Sequence, residues 1–365
     1  MMKKRFSKRR SVYIAVMLAT AALLASGCAL ETKEQAAQRM YVPSGKTGEG
    51  VSADQNQPGA GKLTNIQFYV PSEQDNSLSV IDVPSGKVVG KVALSEMPST
   101  VVFSSTMREA YAANMNSSTI SIINTQTLKV EKEVPVGPMP HGLALSPDNK
   151  TLYVAAVADQ FVYLVDTKAG KEIGTIDLGV GAKTNYLVLF GSRLYVSDHE
   201  NNKVYIVDVK TKQLLQTIAT GQTPRAIRVS DDGKLLFVPC AGDGTLEVYD
   251  TENGTLAEKI STAAGATDVV VTEDGSTALV TGLESNSVSF VDLQNGTVIQ
   301  TLDGLAGAKH ISFNRQQTKA YVTLNGSDQV AVIDTAAQQV LEQIKVGTAP
   351  HGIQLKALPG IGGSC

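Results

Sequence analysis

Seven positions, each 42 residues after the last, hold Ser99, His141, Lys183, Arg225, Thr267, Lys309 and His351. Two imidazoles, two ammoniums and a guanidinium share this one column, although the whole chain has only four histidines. His310 follows Lys309, and Arg228 lies three residues beyond Arg225. Brought together, these groups suit an anion. Arg225 would bind a carboxylate or phosphate as a fork, and Lys183 and Lys309 would act as point charges. Low-dielectric walls lined by one sign of charge focus the field on a counter-charge. The expected ligand-binding set is therefore His141, Lys183, Arg225, Lys309, His351, His310 and Arg228. A second reading takes His141, His310 and His351 as neutral ligands of Zn²⁺, Cu²⁺ or Fe. The neighbouring cations oppose it, and Asp268 is the one acidic residue in the same columns. A third leaves the basic groups simply hydrated.

Other chemistry is poorly supplied. The sequence has no Gly-x-Ser-x-Gly, His-Glu-x-x-His, Gly-x-Gly-x-x-Gly, Cys-x-x-Cys or Cys-x-x-Cys-His pattern. No catalytic residues, metal or cofactor are therefore expected. Aromatics make up 5% of the chain and tryptophan is absent. That leaves little to stack sugars, quinone cofactors or single-stranded nucleic acid. A net charge of −3 gives no global pull toward polyanions. The column Asp82, Asn124, Asp166, Asp208, Asp250, Asp292 and Asp334 looks like a set of acids. Each member closes an alternating run before a turn, where Asx side chains bond local backbone N–H groups, so a structural role is expected.

The elements that must position the basic column follow from the same period. Tyr69, Tyr111, Tyr153, Tyr195, Phe237, Leu279 and Tyr321 mark one point in seven units of 42 residues, with no unit longer or shorter than the rest. A period of 40–45 residues is that of a propeller blade of four strands. Within one unit, residues 194–196, 204–209, 214–218 and 226–229 alternate as strands, and Asp232-Gly233 marks a hairpin. The expected fold is all-β: a seven-bladed β-propeller of four-stranded antiparallel blades over residues 66–356. The first unit lacks its innermost strand and the last has one to spare. Residues 350–356 should therefore join the blade containing 66–93, and continuous blades should start near 98, 140, 182, 224, 266 and 308. In this fold the basic column falls at the mouth of the central channel, with His199 and Cys240 on the same face. An assembled unit of this size buries roughly 75% of its unfolded surface, so no disulfide is needed for a core.

The first 28 residues read as an export signal. Lys3, Lys4, Arg5, Lys8, Arg9 and Arg10 precede an apolar stretch from Val12 to Leu24, too short for a comfortable membrane span. Leu24-Ala25-Ser26-Gly27-Cys28 resembles a bacterial lipobox, with its leucine one position further back than usual. The resemblance implies a diacylated Cys28 as the mature N-terminus, held by two chains where one would bind marginally. Residues 29–65 are polar and glycine-rich and read as a flexible tether. Residues 357–365 form a tail. Cys240 and Cys365 are expected as free thiols. Ala29 leaves out the usual aspartate retention signal, so outer-membrane sorting is expected if the host has two membranes.

Tyr153-Val154, Tyr195-Val196 and Tyr321-Val322-Thr323 mark the units, as do Val80-Ile81-Asp82 and Val332-Ile333-Asp334. With Gly137-Pro138-Met139-Pro140, Gly347-Thr348-Ala349-Pro350 and Ser146-Pro147-Asp148, they resemble the YVTN family of propeller repeats. The resemblance covers roughly residues 66–356. It implies a surface-layer, envelope or periplasmic protein that binds or scaffolds. The expected partners are the membrane, through Cys28, and an anionic small molecule or protein at the channel mouth. A monomer is expected, and nucleic acid is not. The alternative is an enzyme or cofactor handler, lactonase-like or haem d1-propeller-like, acting on an anionic small molecule through the same basic residues.

Overall fold

The computed structural model describes residues 66–357; the expected signal, Cys28, the tether, the tail and Cys365 lie outside them. Seven four-stranded antiparallel sheets fill this range, with no helix among the described residues. Blade I runs from Gln67–Ser72 through Ser77–Asp82 to Lys87–Ala93 and takes its innermost strand, Gln354–Lys356, from the other end of the chain. Blades II, III, IV, V, VI and VII begin with inner strands Pro98–Phe103, Pro140–Leu145, Thr184–Phe190, Arg228–Val229, Ala266–Val271 and Ala308–Phe313. The fold is the expected seven-bladed propeller.

Each junction between blades is sealed by its own apolar cluster. Tyr69 of blade I packs with Val101 and Ala112 of blade II, and Tyr195 of blade IV with Ile227 and Val238 of blade V. The closing junction joins Phe68, Val70 and Ile353 of blade I to Tyr321 and Val332 of blade VII. There the rings of Phe68 and Tyr321 lie 4.2 Å apart. The repeated aromatic position therefore serves as core: Tyr69, Tyr111, Tyr195 and Tyr321 are all buried. The acidic column makes the turns expected of it. Asp208 Oδ1 accepts from the N–H groups of Lys210 and Thr211 at 2.9 and 2.8 Å, and Asp250, Asp292 and Asp334 do the same in their blades.

One feature of every blade departs from simple alternation. In blade II the inner strand pairs Pro98 with Asn114 and then Val101 with Ala112, so two inner residues face one partner residue. The same one-residue slip separates Pro140 from Leu143, Thr184 from Leu187, Ala266 from Val269 and Ala308 from Ile311. Blades I and V show it as an isolated bridge, Pro350 to Ser72 and Pro224 to Cys240, followed by short strands from Gln354 and Arg228. The strand expected over 226–229 is thus reduced to Arg228–Val229, because the slip takes Ala226 and Ile227 out of the ladder. A bulge of this kind bends the strand and re-aims its side chains. Here it frees the basic column and the residue after it to face the axis.

Closure ties the two ends together. Gln67, Phe68 and Tyr69 pair with Lys356, Leu355 and Gln354, and His351 N donates to Pro71 O at 2.9 Å. Without this strand the inner edge of blade I lies open and the closing cluster loses Ile353. Deletion of residues 350–365 is expected to abolish the single cooperative melting transition and give aggregates on size exclusion. A monomeric truncated form with an unchanged melting curve would contradict the closure.

Candidate functional site

The backbone and side chains released by the bulges bond to the next blade. Gly352 N donates to Ser99 O at 2.8 Å, and Thr100 Oγ1 donates to the His141 carbonyl. Ala226 N donates to Thr267 O at 3.0 Å, Thr281 Oγ1 to Lys309 O at 2.7 Å and Thr323 Oγ1 to His351 O at 2.6 Å. Among the described residues, the junction of blades IV and V has no bond of this kind. Gly142 is required for the close approach of blades III and IV, since a Cβ there would stand 2.7 Å from Tyr186 Cα.

The column's two imidazoles and the neighbouring His310 converge on the axis, all at least nine-tenths buried: His141, His310 and His351 are 9%, 5% and 4% exposed. His141 Nδ1 lies 3.1 Å from Asn185 O, a carbonyl that can only accept, so Nδ1 carries the proton. His141 Nε2 is then an acceptor, and it lies 3.0 Å from His351 Nε2, which must donate. His351 Nδ1 then lies 3.1 Å from Lys309 Nζ and against Glu73 Oε1, a donor and an acceptor at one edge of the ring. One directed chain therefore runs from His351 through His141 to Asn185. Lys309 is balanced by Glu73, whose Oε1 accepts from Nζ at 2.8 Å and lies against the same edge of His351. His199 joins from the loop after Asp198: its Nδ1 accepts from Asn185 Nδ2 at 2.9 Å, leaving its N–H on Nε2.

His310 stands on the other side of His351, stacked 5.1 Å away at 20°. It also stacks on Tyr186 at 5.9 Å, joining blade VII to blade IV. Asp268 Oδ2, buried to 2% exposure, accepts from His310 Nδ1 at 3.0 Å and from Ile311 N at 3.2 Å. Arg228 sits one layer deeper, and its Nε donates to Val269 O at 2.6 Å.

The sequence-derived set is thus gathered at one end of the axis, but its members differ in what they have left to offer. Lys309 is spent on Glu73 and His351. Among the described residues, Lys183 Nζ donates only to the Ala158 carbonyl, at 3.1 Å. The guanidinium of half-buried Arg225 makes no hydrogen bond or ion pair among the described residues, and Glu284 reaches it only as a distant charge. The histidines entertained as metal ligands turn their ring nitrogens to each other, to Asn185, to Lys309 and to Asp268. Among the described residues no group of three His, Cys, Asp or Glu is arranged to hold a metal ion. Cys240 is a buried free thiol. Burial and Glu247 push it well above its ordinary pKa, so it is an inert core residue.

Sequence reasoning missed Glu73. Its signal was present: Glu73 occupies in blade I the position that His199 occupies in blade IV, three units of 42 residues away.

A family model described as YNCE-like beta-propeller matches residues 176–358, half of the chain. No curated protein matches it. Among solved structures, a periplasmic gluconolactonase from Pseudomonas aeruginosa is similar at TM-score 0.69 and 20% identity, over 81% of this chain and 100% of that one. A functionally unknown protein from Desulfotomaculum acetoxidans is similar at TM-score 0.69 and 17% identity, over 79% and 98%. Dihydro-heme d1 dehydrogenase NirN is similar at TM-score 0.63 and 15% identity, over 86% and 78%. At these identities the likeness is one of fold.

Burial, and then the charges of His310 and Lys309, hold His141 down at about 3, while burial and Lys309 hold His351 well below the ordinary imidazole value of 6.5. Both rings stay neutral in the folded protein while the unfolded chain binds protons below about 6.5. The unfolded state then holds more protons, so stability is complete above that pH and is lost as pH falls from 6.5 toward 3. Wild type should lose up to about 1.4 kcal/mol per pH unit for each ring over this window. His141→Gln combined with His351→Gln should flatten the slope. Urea midpoints at pH 7, 6, 5 and 4 test this, and parallel slopes for the two proteins would refute it.

Proposed function

The chain belongs to the YNCE-like β-propeller family, and within that fold we propose that it is an exported, lipid-anchored binding protein that seats a small anionic molecule at the basic end of its axis. The observation that carries this reading is Arg225, a half-buried guanidinium with no partner among the described residues, at the one blade junction without a bulge-level bond. Lys183, one blade earlier in the same column, and the Nε2–H of His199 are further donors at this end of the axis. Nine acidic side chains lie on the loops of this same end: Glu73, Asp75, Glu96, Asp159, Glu200, Asp243, Glu284, Asp303 and Asp328. They surround the basic centre and oppose a long polyanion, which supports a small ligand over nucleic acid. The lipobox-like Cys28 and the polar segment after it support an anchor that holds the propeller away from a membrane.

A second reading, an enzyme or cofactor handler acting on an anionic small molecule, is favoured by the buried Asp268–His310 pair. A carboxylate that fixes Nδ1–H leaves Nε2 as a base. The two proteins named above for a gluconolactone and for a haem d1 compound share the fold and support this reading by analogy alone.

The test is a melting series with acetate, phosphate and sulfate. An anion at ten times its dissociation constant should raise the melting temperature of wild type by about 2–4 °C. Arg225→Glu with Lys183→Glu should abolish that rise. A wild type that none of the three stabilises removes the basis of the binding reading, and one that consumes gluconolactone faster than buffer favours the enzyme.

A further inference from the structure

The end of the propeller away from the axial site is built by the turns that follow the acidic column. In blade IV the inner strand pairs Thr184 with Asp198 at the site end and Phe190 with Arg193 at the far end, where Arg193 in turn pairs with Asp208. Lys87, Lys129, Lys168, Lys171, Lys210 and Lys212 stand on these turns in blades I to IV. The matching turns of blades V to VII, 250–255, 292–297 and 334–339, hold no Lys or Arg. In blades III and IV the turn carboxylates are already engaged: Asp166 Oδ1 accepts from Ala169 N at 2.7 Å and Asp208 Oδ1 from Lys210 N at 2.9 Å. Lys168, Lys171, Lys210 and Lys212 are exposed and make no ion pair among the described residues. On these two turns and the outer strands that follow, Glu172 is the one carboxylate set against them.

Directly after these turns the outer strands hold large apolar side chains in solvent. Ile173, Leu214 and Leu215 are 48%, 46% and 52% exposed. The two blades are continuous here, since a Cβ on Gly174, next to Ile173, would stand 3.5 Å from Lys212 Nζ. Leu256, Ile299 and Leu341 repeat the exposed apolar position in blades V to VII, where the turns lack cations, so charge marks out one sector of the rim. Exposed apolar side chains among unpaired lysines fit a surface that is anionic at its face and apolar beneath. The chain also enters the propeller at this end: Gln67 pairs with Asp82, and Ile66 O accepts from Val83 N at 3.0 Å. Resting on the anchored reading above, we propose that the rim of blades III and IV docks on an anionic lipid bilayer. Ile173, Leu214 and Leu215 enter the headgroup boundary, and the four lysines meet lipid phosphates. The same surface repels the nine acids at the opposite end, so the axial site faces away from the membrane, open to a soluble ligand.

The test uses the full protein with its lipid, held on vesicles of phosphatidylcholine alone or mixed with phosphatidylglycerol. Cys365→Ser leaves only the buried Cys240 thiol, and a fluorophore is attached in Leu215→Cys or in Ile299→Cys. Brominated lipid should quench the label of Leu215→Cys in the anionic vesicles and not in the neutral ones. Ile173→Cys should report as Leu215→Cys does, and the label of Ile299→Cys should stay unquenched in both. A lysine near an anionic surface is worth about fivefold, so Lys210→Ala with Lys212→Ala should weaken docking by about 25-fold. Added salt should weaken it in wild type. Lys203→Ala with Lys345→Ala removes the same charge at the axial-site end and should leave docking unchanged. A retained protein whose Leu215→Cys label stays unquenched in anionic vesicles, or whose Leu215→Cys and Ile299→Cys labels are quenched alike, overturns this proposal and leaves the anchored reading standing. A protein that neither kind of vesicle retains removes both.

Discussion

The site depends on a slip of one residue in the hydrogen-bond ladder between the innermost strand and its neighbour, repeated in all seven blades. A regular strand would send alternate side chains into the two junctions beside the blade. The slip withdraws the first residues of each inner strand from that alternation and turns them to the axis. Their freed backbone groups then need partners, and six of seven junctions supply them across to the next blade. The same bulge therefore builds the ring and furnishes its centre.

Crowding imidazoles and cations on one axis is costly unless charge is matched. The protein meets this with two acids that the basic column itself does not contain. Glu73 arrives on a loop of blade I and holds Lys309; Asp268 arrives on the bulge of blade VI and orients His310. His351 and His141 become a directed chain of donors and acceptors that ends on Asn185. Arg225 is the exception, and the contrast between it and Lys309 is what singles out one side of the axis.

Much of this was legible in the sequence. The invariant 42-residue spacing gave blade number, strand order and closure by the C-terminal strand, because each follows from counting units. The basic column was legible for the same reason. The bulge was not: it occurs in every blade at the same place, so it leaves the period unchanged and no unit betrays it. Its nearest trace is the small residue beside the column histidines, Gly142 and Gly352, where a Cβ would meet Tyr186 Cα or Ser99 O. The pairing of His141 with His351 was hidden too. They belong to blades III and I, and only side-chain reach across the axis joins them.

The axial site is held by one ordering of protons, and nitrogen chemical shifts of the four histidines at pH 7 measure it directly. With ¹⁵N-labelled histidine, His141 and His310 should carry a proton on Nδ1, and His351 and His199 on Nε2. His351 without a proton on Nε2, or four rings averaging freely between tautomers, would contradict a site built on a fixed axial hydrogen-bond chain.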